Sequence, residues 1–263
     1  MIGLFLGENQ LPLEILSKIK KKKIKYFIID LTKNNKFKKD KNSFFINIGK
    51  FGKILELIKY KKCKKVLFAG NIVKPTFSKL KLDFKGIYYI PRIIKAAKLG
   101  DAAILKELIK ILSENKIIVI KLNKFNPELT LQKGCYTKIK PSRSHIKNIK
   151  NGIKYLMKVN SYNYTQALVI DNNKIISLEK KSGTKQMLES IRKRKDKSAI
   201  LIKIPKSKQD LRVDLPTIGI DTLKDCKKAG ITGIAIRANQ NVFLNRDKSI
   251  KFANNNKIFI VAV

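Results

Sequence analysis

Histidine is nearly absent from this 263-residue sequence: His145 stands alone. One imidazole makes neither a metal site nor a catalytic triad by itself. Cysteine is almost as scarce. Cys63, Cys135 and Cys226 lie far apart and without metal-ligand spacing, so they read as reduced, buried or half-buried thiols of a cytoplasmic protein. Long apolar runs are missing too. Ile117 to Ile120 and Phe27 to Ile29 are strand-sized, whereas a membrane span takes roughly 20 apolar residues. No basic segment precedes the apolar run Ile2 to Leu6, so the N-terminus reads as a first strand and not as a secretory signal.

Acidic residues are the other shortage. Against 59 Lys and Arg stand 19 Asp and Glu, a formal charge of +40. Clusters such as Lys20 to Lys25, Lys59 to Lys65 and Arg192 to Lys197 would suit a phosphate backbone. Against that, the basic residues spread over the whole chain, and lysine, asparagine and isoleucine abound together, as an AT-rich genome would write them. Aromatic residues do not interleave with the charges as a base-stacking platform needs. Compositional drift is the stronger reading, and no specific nucleic acid is expected. Anionic substrates and anionic lipid surfaces are attracted in either case.

What is present is a globular composition, 44% hydrophobic, in a chain long enough for one large or two compact domains. In the first half, strands at Ile2 to Leu6, Tyr26 to Asp30, Phe44 to Asn47, Val66 to Ala69 and Ile117 to Lys121 alternate with helical patterns. These begin after Pro12, at Gly49, at Pro91 and at Asp101. This predicts α/β architecture, with a Rossmann-like, mainly parallel sheet and ligands beyond the carboxyl ends of its strands. Periodicity fails between about Asn126 and Ser142, where Pro127, Gly134 and Pro141 fall. The domains are therefore set at 1–130 and 136–263, the second one mixed α/β. In that second domain a helix carries Ile146, Ile149, Ile153 and Leu156, and a hairpin turns at Asp171 to Lys174. Thr184 is a plausible N-cap, Ala199 to Ile204 is a strand, and Gly230 is expected just past a helix that ends near Lys228.

Chemistry-bearing residues concentrate in Lys203 to Gly219, a loop after a strand and before a helix. Asp210 and Asp214 are two carboxylates in a chain poor in them. Asp214 can serve Mg²⁺, which takes one or two carboxylates plus water and phosphate. Lys203, Lys206 and Arg212 can neutralise a diphosphate, Arg212 bidentately. A solvated loop with its acids paired to neighbouring lysines explains the pattern equally well. Gly7 to Pro12 and Gly70-Asn71 with Lys74 are either ligand-approaching turns or plain βα turns. Gly183-Thr184-Lys185 is a short, cation-bearing helix start that suits a phosphate.

Four segments carry a resemblance. Phe68 to Pro75 is similar to F-A-G-N-V-x-R/K-P, and Gly100 to Leu105 to G-D-D-x-L-L. Lys206 to Gly219 is similar to K-x-x-Q-D-x-R-x-D-L-P-T-I-G, and Gly230 to Ala235 to the A-G-L-x-G-I-A run. In this order they resemble the LpxI-type UDP-2,3-diacylglucosamine pyrophosphatases of lipid A synthesis. The resemblance implies a two-domain, Mg²⁺-dependent hydrolase that holds its substrate between the domains and releases UMP and 2,3-diacylglucosamine 1-phosphate (lipid X). The essential aspartate falls on Asp214. Metal donors would be Asp214 and Asp210, and substrate contacts Gly7, Gln10, Gly70, Asn71, Lys74, Gly183, Thr184, Lys185, Lys206, Gln209, Arg212 and Thr217. Peripheral contact with an anionic inner membrane is compatible with it, and a homodimer is left open.

Departures stand beside the likeness. The glycine-rich turn is reduced to Gly7-Glu8-Asn9-Gln10, the second acid of G-D-D is Ala102, and E-G-T-D reads Ser182-Gly183-Thr184-Lys185. They leave room for a second class, a nucleotide-sugar or lipid-precursor binder of the same fold without turnover. Lys185, at a helix start, would require a phosphate or a carboxylate such as Glu179 opposite it.

Overall fold

The computed structural model describes residues 1–72, 76–159, 165–191, 198–206 and 209–263. Two compact units emerge. One comprises 1–126 with 212–214, and the other 127–211 with 215–263.

The first unit runs β1 (Ile2–Leu6), α1 (Leu11–Lys21), β2 (Tyr26–Asp30), β3 (Ser43–Phe45), α2 (Phe51–Tyr60), β4 (Lys65–Ala69), α3 (Phe84–Ala97), α4 (Asp101–Glu114), β5 (Ile118–Val119) and α5 (Leu122–Phe125). Its sheet has the order β3-β2-β1-β4-β5, and every pair is parallel. This is a Rossmann-like half, with the strand order reversing beside β1. The central strands are buried on both faces, which is why they are written as unbroken apolar runs. Leu11, Ile15, Leu16 and Ile19 turn one face of α1 inward. Phe5, Phe27, Ile54, Ile58, Phe68, Ile111 and Leu112 build the opposing core.

α3 departs from expectation. The sequence sets its start at Pro91, where a proline suits a first turn. The helix instead starts at Phe84 and carries Pro91 inside, which removes the donor for the Ile87 carbonyl. Two features outweigh that loss. Tyr89 and Ile93 pack against the core, and Asp83 caps the helix by accepting from Gly86 N at 2.8 Å. The same carboxylate accepts from Gly52 N and Lys53 N, both at 3.0 Å, so one side chain serves the N-termini of α2 and α3. Burial pushes the Asp83 carboxyl upward, but these backbone donors hold it below its usual value.

The second unit runs β6 (Gly134–Cys135), α6 (Arg143–Lys158), β7 (Ala167–Asp171), β8 (Lys174–Leu178), α7 (Gly183–Glu189), β9 (Ile200–Lys203), β10 (Thr217–Ile218), α8 (Ile220–Lys228), β11 (Gly233–Ile236), β12 (Val242–Phe243), α9 (Arg246–Asn255) and β13 (Phe259–Ala262). Its main sheet, β6-β13-β11-β9-β7-β8, is mixed. β13, β11 and β9 are parallel, whereas β6, β7 and β8 run antiparallel to their neighbours. β10 and β12 form a separate parallel pair. Alternation along β9 sends Ile200 and Ile202 toward Ile149 and Leu156 of α6, and Leu201 toward the core that includes Leu223 and Phe243. Asn172 and Asn173 take positive φ in the two-residue hairpin turn.

His145 closes a capping box at the head of α6. Its backbone N donates to Ser142 Oγ at 3.3 Å, and Ser142 N donates to its Nδ1 at 3.1 Å. Cys63 and Cys226 are buried thiols, and Cys135 is exposed rather than buried. Burial pushes the Cys226 thiol well above its usual range. Among the described residues, no helix is long and apolar enough to cross a membrane.

Candidate functional site

In the first unit, Gly7 and Gly70-Asn71 follow β1 and β4, the strands that flank the point where the order reverses. The two turns pair with each other: Glu8 N donates to Asn71 O at 2.8 Å, and Asn71 N to Glu8 O at 3.2 Å. A Cβ on Gly7 would sit 2.4 Å from Asn71 O. One on Gly70, at φ +88°, would sit 2.4 Å from Glu8 O. Both glycines therefore have a backbone reason to be glycine, besides any approach to a ligand. Asn71 and Gln10 are exposed, and Gln10 heads α1 without a side-chain cap. Lys74 lies outside the described residues.

Glu8 lies in the first of these turns. Its Oε1 accepts from Lys33 N at 2.9 Å, and its Oε2 pairs with Lys36 at 2.5 Å. The Lys36 partner, more than any other contact, holds its carboxyl below the usual value. Asp30, fully buried at the end of β2, accepts from Thr32 N, Thr32 Oγ1 and Phe37 N. These acids order loops.

The second unit is different. Lys203, 7% exposed, ends β9. Its Nζ donates to Thr184 Oγ1 at 2.8 Å and to Thr217 O at 3.2 Å. Thr184 Oγ1 donates in turn to Glu179 Oε1. Glu179, 3% exposed, also accepts from Gln166 N at 2.9 Å. Asn241, fully buried, donates to Lys203 O and accepts from Arg237 N. A buried cation and a buried carboxylate are thus joined through one threonine hydroxyl, where the parallel strands β9 and β11 end. Burying such groups costs several kcal/mol each unless geometry and hydrogen bonds offset it, so this network is a candidate for function.

Two expectations change here. Thr184 is not the N-cap of α7; Ser182 holds that position, without a side-chain cap, because the Thr184 hydroxyl is engaged between Lys203 and Glu179. Glu179 does not face Lys185 either. Lys185 Nζ lies 3.8 Å from Glu189, with both side chains exposed. Gly183 has φ +88° and nothing within 4 Å of a Cβ position.

The Lys206 to Gly219 loop divides between the units. Gln209 is buried and accepts from Lys206 N at 3.0 Å. Lys206 and Asp210 are half-buried and belong to the second unit. Arg212 to Asp214 belong to the first, where Val213 packs against the core. Thr217 donates to Leu215 O at 3.3 Å. Among the described residues, no group of three or more His, Cys, Asp or Glu gathers as a metal cage. Asp214 still fits Mg²⁺ by its donor chemistry, since that ion keeps water and phosphate oxygens in most of its shell.

The sequence singles out Lys203 and Glu179 but not their connection, and gives no sign of Gln166 or Asn241. The signal for Lys203 was an ammonium closing the apolar run Ile200 to Ile202.

Comparison with known proteins covers the chain almost end to end. The LpxI N-terminal domain model matches residues 1–129, and the LpxI C-terminal domain model residues 132–261. The UDP-2,3-diacylglucosamine pyrophosphatase LpxI of Caulobacter vibrioides is 30% identical over 226 residues, covering 83% of this chain and 81% of that protein.

Proposed function

Because this chain belongs to the LpxI family, we propose that it hydrolyses the diphosphate of UDP-2,3-diacylglucosamine to UMP and lipid X in lipid A synthesis. The observation that carries this is the family match over both halves, joined to an intact Asp210, Arg212 and Asp214 loop. Cleaving a phosphoanhydride needs charge neutralisation and an oriented water rather than a protein nucleophile. A single histidine engaged in a helix cap is no obstacle to that.

Asp214 is the carboxylate to hold Mg²⁺, with Asp210 as the second donor. Bound there, the ion would polarise a phosphoryl oxygen. Arg212 and Lys206 provide positive charge for the diphosphate, and Arg212 can bind bidentately. Lys203 is fixed by Thr184 and the Thr217 carbonyl, so its ammonium is oriented before substrate arrives and needs little reorganisation as charge develops. Glu179, through Thr184, keeps that ammonium in place. Lys185 takes the position of an acid in relatives and contributes a weaker, solvent-screened attraction to phosphate.

The test is direct. Purified protein given UDP-2,3-diacylglucosamine and Mg²⁺ in detergent releases UMP, and chelation stops it. Asp214→Ala lowers turnover by about 10²-fold or more while substrate still binds. Turnover of Asp214→Ala within about threefold of wild type would remove that residue from the mechanism. Substrate binding without any UMP from the wild-type chain would favour the non-catalytic binder that Lys185 and Ser182 leave open.

A further inference from the structure

Single exposed apolar side chains are ordinary, whereas a contiguous group of them needs an explanation. Phe84 (88% exposed), Ile87 (60%), Tyr88 (70%), Ile94 (40%) and Leu99 (60%) fall within one short stretch of the first unit. Four of the five are on α3. With the exposed Pro91 they follow the helical period and form one continuous face. The opposite face of α3 is the one used by the fold, with Gly86 and Ala96 buried and Tyr89 and Ile93 against the core. The flank toward α4 is closed by Arg92, which pairs with Glu107 and Glu114, each at 2.7 Å. α3 is therefore apolar on two sides, and folding accounts for one.

Charge identifies what covers the other. Lys79, Lys81, Lys85, Lys95 and Lys98 border the face, all exposed. Between 79 and 99 the only acid is Asp83, and its carboxylate serves the backbone N–H groups of Gly52, Lys53 and Gly86. Apolar chains and one tyrosine ring bordered by lysines suit the interfacial zone of a membrane, with rings and branched chains below the headgroups and ammonium groups among them. Each lysine near an anionic leaflet adds about 1 kcal/mol.

We propose that this outward face of α3 docks the protein on an anionic lipid bilayer, the helix lying in the plane of the interface. The inference rests on the function proposed above only in expecting a bilayer, where a diacylated substrate resides.

The sequence contains no tryptophan, so Phe84→Trp supplies a single fluorophore on the face. With phosphatidylglycerol–phosphatidylcholine vesicles at about a 3:7 ratio, its emission shifts to the blue and brominated acyl chains quench it. Phosphatidylcholine alone gives little change. Tyr60→Trp, at an 80% exposed position outside α3, stays solvent-like in both. In co-sedimentation, Ile87→Gln with Tyr88→Gln lowers binding about tenfold or more. Replacing Lys81, Lys85, Lys95 and Lys98 by glutamine does the same at low salt, and circular dichroism is unchanged in both variants. Emission from Phe84→Trp that ignores vesicles overturns the proposal, as does an equal shift from Tyr60→Trp. Self-association without lipid that the Ile87 and Tyr88 changes abolish would make a second copy the occupant. A raised KM for dispersed substrate, with vesicle binding intact, would make it the acyl chains. Vesicle binding is scored without substrate, so its loss beside normal hydrolysis in detergent refutes docking alone.

Discussion

The two units differ in what their buried and half-buried charges mainly meet. In the first, Asp30, Asp83 and Glu8 point at backbone N–H groups and close turns or cap helices. In the second, Lys203 and Glu179 are joined through the Thr184 hydroxyl, besides one main-chain contact each, to the Thr217 carbonyl and from Gln166 N. The first arrangement holds a fold together. The second places a cation at the mouth of a sheet, and a protein selected only for stability gains little from it. Chemistry is to be sought where a buried cation and a buried carboxylate share one hydroxyl, and architecture where carboxylates gather several backbone N–H groups.

The strongest challenge to this contrast is Lys203→Met. It is expected to lower kcat of the folded protein by about 10²-fold and also to lower the urea midpoint, since it leaves the Glu179 carboxylate buried without its cation. Full activity together with lost stability would reverse the assignment. Asp83→Ala should affect stability alone, costing about 1–2 kcal/mol as a lost cap with kcat of the folded protein unchanged.

That cost carries a pH signature. The Asp83 carboxyl is held below its ordinary value in the folded state, so its stabilisation is complete above the unfolded value of about 4 and fades as pH falls through the folded one. Denaturation midpoints of wild type and Asp83→Ala should therefore differ at pH 7 and converge in acid. A difference that grows in acid would contradict the capping geometry. The smallest effect belongs to Lys185→Asp. An exposed ammonium contributes about 0.2–1 kcal/mol, so KM should rise about fivefold at most while kcat stays level. A rise in kcat would instead identify the missing acid as a catalytic loss.

Legibility followed the same division. The parallel first sheet was readable because its strands, buried on both sides, are continuous apolar runs separated by helical periodicity. The hairpin was readable from Asp171 to Lys174. The first half of α3 was not, because its outward face is as apolar as its inward face and Pro91 suggested a start. Nor was α9, which buries only Ser249 and Ala253 and so has almost no apolar stripe. β10, only two residues long, carries no period at all. Within the site, the loop ending at Gly219 was conspicuous as a motif. The Glu179, Thr184 and Lys203 connection joins three separate elements and leaves no local pattern. The same holds for Arg212 to Asp214, whose membership of the first unit no neighbouring residue announces.

The pinch between the Gly7 and Gly70 turns also bears on the chain's history. Glycine codons begin with two guanines, so an AT-rich genome, the stronger reading of the abundant lysine, asparagine and isoleucine, would work against them. Where a single methyl group would lie 2.4 Å from a carbonyl oxygen on either side, that pull would meet a barrier. At such glycines a nucleotide bias would be overruled by the width of a peptide bond.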